Sequence, residues 1–99
     1  MFGEKRQVLD IPPAVAKDSQ AVEIARVWAG GGGQHFSLRA DVWADPAAWG
    51  VLLVDLAKHL ANAYGATGRD PADSLSRIKA VFDAEWSHAT DAPTGKLLR

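Results

Sequence analysis

The apolar positions of this chain change period near Asp41, from alternation before it to helical spacing after it. From Trp49 onward, apolar residues recur at Leu52, Leu53, Leu56, Leu60, Ala63 and Tyr64, one face of a helix. Asp45-Pro46 supplies the start, an aspartate N-cap followed by proline at the first helical position, and Gly65 supplies the stop. A helix over 46–64 is therefore predicted. Asp55, Lys58 and Asn62 lie on its opposite side, and Val51 and Val54 fall there too. The start signal repeats at Asp70-Pro71, with Asp73 supporting the first turn. Leu75, Ile78, Phe82, Trp86 and Ala89 then form the apolar face of a second helix over 71–89. Asp73/Arg77 and Lys79/Asp83 stand four apart on its exposed side. The linker Gly65-Ala66-Thr67-Gly68-Arg69 is short, so the two helices should be antiparallel neighbours.

Upstream, Val22–Trp28 and Gln34–Arg39 alternate like strands and flank four glycines, Gly30 to Gly33. This predicts an antiparallel hairpin over 21–29 and 34–40. Loop parity decides which face is apolar. An even loop pairs Val27 with Phe36 and Ala25 with Leu38, exposing Ile24 and Trp28 beside Arg39 and His35. An odd loop pairs Ile24 with Leu38, gathers Val22, Trp28, Phe36 and Ala40 on one face, and sets Glu23 opposite Arg39. The odd register buries more large side chains and is the one expected, at the cost of Arg26 on the inner face. Gln7–Ile11 reads as a short third strand over 7–11, ended by Pro12-Pro13. For residues 14–23 two readings stand: one helical turn over Ala14–Lys17, or a helix from Asp18-Ser19 into Glu23.

The expected architecture is α+β in two layers, a small antiparallel sheet with both helices packed on one face. It forms a single domain over 1–99, ordered from about 7 to 90, with a loosely held, turn-rich tail over 91–99. So small a sheet is marginal alone, which favours a C2 homodimer covering its bare surfaces. Composition points the same way. The hydrophobic share is 47%, but 18 of the 99 residues are alanine, so large anchors are few and much of the core falls to four tryptophans.

Charge and chemistry mostly exclude functions. Eleven basic and twelve acidic residues give a net charge of −1, with neither the basic excess of a nucleic-acid binder nor an electrostatic membrane anchor. There is no cysteine, hence no thiolate nucleophile, thiolate metal site or disulfide. The N-terminus shows no secretory pattern and the longest apolar run, Trp49 to Val54, is too short to span a bilayer, so a cytoplasmic location is expected. The glycines lead into the alternating Gln34–Leu38, not into a capped helix, so they are a turn and not a phosphate loop. His35, His59 and His88 fall on three different elements, and no metal site or cofactor is expected.

No catalytic constellation emerges. One candidate ligand site does: His35 and Arg39 share one side of a strand with Ser37, and with Glu23 they offer an anion a bidentate fork. His59, four residues after Asp55, would join it in the runner-up reading, an anionic small-molecule binder or small enzyme. The plainer reading is a solvated sheet face with one salt bridge and a half-buried histidine. Trp43 precedes the first helix, and beside Val51 and Val54 it would form an exposed apolar patch, the expected self-association surface. The leading expectation is a non-enzymatic homodimeric interaction or accessory protein, with an unidentified protein as a further partner.

The chain also resembles a short alphaproteobacterial family classed only as a domain of unknown function. The resemblance rests on Leu9-Asp10-Ile11-Pro12-Pro13, on Ala21–Ile24 leading through Arg26-Val27-Trp28 to the glycines, and on Asp45–Ala57. It runs from about Val8 to Trp86. It implies a small cytoplasmic bacterial α+β protein and carries over no catalytic residue.

Overall fold

The computed structural model describes residues 8–88. In chain order it contains α1 (Pro13–Ala16), β1 (Ala25–Gly30), β2 (Gly33–Leu38), a 3-10 turn (Ala40–Val42), α2 (Ala47–Gly65) and α3 (Pro71–Ser87). The fold is α+β, a two-stranded antiparallel hairpin followed by two long helices. Both helix starts follow from the Asp-Pro pairs. Asp45 accepts from the Ala47 amide at 2.9 Å, and Asp70 from the Ala72 amide at 3.2 Å. Trp43, two residues before the first of these caps, meets Trp49 edge to face at 5.2 Å and fixes how the chain enters α2. Residues 14–16 form the single helical turn, and 18–23 are not helical.

Three expectations are corrected. Residues 8–11 form no third strand, and residue 7 lies outside the described part. The hairpin is the whole sheet, and among the described residues its two outer edges stay unpaired. The hairpin register is the even one: Ala25 pairs with Leu38, Val27 with Phe36, Trp28 with His35. Gly31 and Gly32 close the loop at φ +56° and +81°. That is the pair of left-handed residues a two-residue type I′ turn requires, and its twist matches the strands it joins. Turn geometry thus overrode the count of buried side chains.

The third correction concerns the layers. The hairpin and the long helices are separate pairs: β1 packs with β2 and α2 with α3, and among the described residues no element of one pair makes a close backbone approach to the other, as helices laid on a face of the sheet would. Within the helical pair, α2 turns toward α3 the stripe Gly50, Val54, Ala57, Ala61 and Gly65, spaced four, three, four and four, with Leu53 beside it at the open end. Small residues let the backbones approach. At the closed end a Cβ on Gly65 would lie 2.7 Å from the Pro71 ring. Ala61 and Ser74, at 3% and 5% exposure, are the only buried residues among those described. Leu53, Leu56, Leu60 and Tyr64, expected to face inward, are all exposed. The tail over 91–99 and Ala89 lie outside the described residues.

Candidate functional site

The expected ligand residues do not converge. Glu23 and Arg39 do meet at the base of the hairpin, where they border an open hollow of about 370 Å³. The even register sets Arg39 across from Ile24, whose carbonyl accepts from the Arg39 amide at 2.8 Å. The Arg39 Nε donates to the Glu23 backbone carbonyl at 3.2 Å, while the Glu23 carboxylate is held by Arg26, whose Nε lies 2.8 Å from both oxygens. Glu23 therefore pairs with Arg26 and not with Arg39. The pair is exposed, so it contributes little to stability.

His35 stands four residues up the strand from Arg39, about 13 Å away at the rise of an extended chain. Its Nε2 donates to the Gly30 carbonyl at 2.8 Å, clamping the turn. One small anion does not span both ends. His59 belongs to α2, which the hairpin does not touch, and no hydrogen bond or ion pair joins it to Asp55.

The expected interface patch also divides. Trp43 leans on Trp49, which stands about 200° around α2 from Val51. Val51 is exposed on its own side, and Val54 belongs to the side that faces α3. There, where the helices part from their closed end, an open apolar groove of about 590 Å³ runs between Gly50–Lys58 and Leu75–Trp86. Leu53, Val54 and Ala57 line one wall; Ile78, Phe82 and Trp86 line the other. Phe82 and Trp86 stack at 5.4 Å, yet Trp86 remains 77% exposed. The polar members sit at the rim, Lys79 paired with Asp83 at 2.8 Å as its spacing predicts, and Lys58. This groove is the largest departure from the expected site. Its signal in the sequence is the helical spacing of Gly50, Ala57, Ala61 and Gly65, which marks where α2 can be approached.

No helix among the described residues is long and apolar enough to cross a membrane. No curated protein matches the chain. A solved structure from the photosynthetic bacterium Rhodopseudomonas palustrus CGA009, described as a "putative pyruvate dehydrogenase", is similar to it. The identity is 35%, all of each chain is covered, and the TM-score is 0.74. Residues 8–90 match a family described as a domain of unknown function, DUF5076, and the chain belongs to that family.

Proposed function

We propose that this protein is a non-enzymatic interaction module that works as a homodimer. One observation carries the reading: among the described residues only Ala61 and Ser74 are buried, while large apolar side chains stand open on α1, β1, α2 and α3. Val27 on the hairpin, Leu53, Leu56 and Leu60 on α2, and Phe82 and Trp86 on α3 are all exposed. A chain gains its stability mainly by removing such groups from water, at roughly 25 cal/mol per Å². A lone hairpin and a two-helix pair are each marginal by themselves. The helical pair is completed by a surface that a second copy supplies.

Size-exclusion chromatography with light scattering tests the reading. The expected mass is that of two chains of 10.6 kDa. A single-chain mass across the micromolar range overturns it.

A further inference from the structure

We propose that the open groove between α2 and α3 is the subunit interface, with Trp86 of each copy set into the cleft beside Gly50 of the partner subunit. The proposal rests on the homodimer reading and adds which surface closes and how.

A two-fold contact uses the same patch on both copies, so that patch must carry both a projection and a recess. This groove does. Trp86 projects from the α3 wall, mostly in solvent although it stacks on Phe82. Across from it, a Cβ placed on Gly50 would meet nothing within 4 Å, and Ala57 is the next small residue down the α2 wall. Two helices with one apolar side left open are half of a four-helix bundle, and a second such pair is the simplest surface that completes one.

Charge permits closure. Asp83, the acidic member of the lining, is already neutralised by Lys79 at 2.8 Å, so no unpaired carboxylate is driven out of water. Lys58 sits at the rim, where its stem can lie along apolar surface while its ammonium stays hydrated.

The exposed area is also of the right size. The whole chain exposes 8743 Å², against about 5,500 Å² for a compact monomer of 10.6 kDa. Granting the residues outside 8–88 the full area of an unfolded chain, about 2,900 Å², leaves about 5,800 Å² for the rest. A compact domain of that size exposes about 4,700 Å². The excess of about 1,100 Å² is spread over the whole subunit, hairpin and N-terminal segment included, and a standard stable interface takes roughly 800 Å² from each partner.

Sedimentation equilibrium on the full chain tests this through three variants. Trp86→Ala should weaken the dimer roughly thirty-fold or more, as loss of an interface anchor does. Val54→Arg should give single chains. Val27→Arg, on the hairpin, should leave the dissociation constant within about threefold. A second measurement does not depend on those variants folding. The chain has no cysteine, so Gly50→Cys and Trp86→Cys chains can be mixed under mild oxidation, each able to cross-link only to another chain. At a subunit concentration well above the dissociation constant of the Trp86→Ala chain, the mixed disulfide should far exceed the sum of the two like-with-like products, which random pairing of an equal mixture would only match. Wild-type chains that never dimerise overturn the homodimer reading and this inference together. A wild-type dimer that survives Trp86→Ala and Val54→Arg, or that yields no mixed disulfide, overturns this inference alone.

Discussion

Gly65→Ala is expected to destabilise the protein, although alanine is the better helix former. Gly65 is the last residue of α2, and its φ is not in the left-handed region, so backbone conformation raises no objection to alanine. Helix propensity alone would favour the change by up to about 1 kcal/mol. The opposing term is steric. The new Cβ would lie 2.7 Å from the Cγ of Pro71 and 3.5 Å from its Cδ, where ordinary contacts begin near 3.4 Å. Ring pucker moves that carbon by only a few tenths of an ångström, and the ring cannot rotate away because it is closed onto the backbone. The start of α3 must shift, and overpacking of this kind costs about 1–3 kcal/mol. The steric term wins, for a net loss of about 1 kcal/mol. Urea denaturation followed by circular dichroism, at one fixed subunit concentration, measures it. Pro71→Ala completes a double-mutant cycle: in that background Gly65→Ala should be neutral or stabilising, with a coupling of about 2 kcal/mol. Additive effects, or a Gly65→Ala chain more stable than wild type, would refute the close approach of the two helices.

Three smaller changes probe the other local devices. Gly32→Ala forces a side chain into φ +81° and should cost about 1–2 kcal/mol by the same denaturation assay, whereas Gly31→Asn, at φ +56°, should be nearly neutral. Ser74→Ala should be neutral or stabilising by up to about 1 kcal/mol, because the buried Ser74 hydroxyl bonds to no other protein group and alanine favours the helix. Asp70→Ala removes the acceptor for the Ala72 amide and should lower the melting stability by about 1 kcal/mol.

What could be read from the chain alone was set by local chemistry. Asp45-Pro46 and Asp70-Pro71 announce the helix starts because their capping depends on neighbouring residues only. The glycines announce the hairpin for the same reason. The register is less legible: the odd loop gathers Trp28 and Phe36 on one face, which would favour it only if the helices lay beneath that face. The helices are elsewhere, and Gly31-Gly32 settles the register through φ alone.

The leucine face of α2 misleads on similar grounds. An apolar stripe reports what must finally leave water, and it does not say whether the covering surface belongs to the same chain. Leu56 and Leu60 therefore signal burial that this chain by itself does not provide. Gly50, Ala57, Ala61 and Gly65 carry the intrachain packing, and their small size makes them weak in any hydrophobic count. Of the ligand residues, only Glu23 and Arg39 adjoin; the separation of His35 and His59 depends on register and on the gap between hairpin and helices.

The central claim is that the open subunit is completed by a second copy of itself, and thermal unfolding as a function of protein concentration tests it most directly. When folding is coupled to dimerisation, each tenfold rise in concentration adds about 1.4 kcal/mol to apparent stability. For two chains of 99 residues that raises the midpoint by about 3–6 °C per decade. A midpoint that climbs in this way from 1 to 100 micromolar is the expected result. A midpoint that does not move with concentration, accompanied by the mass of one chain, would contradict the account.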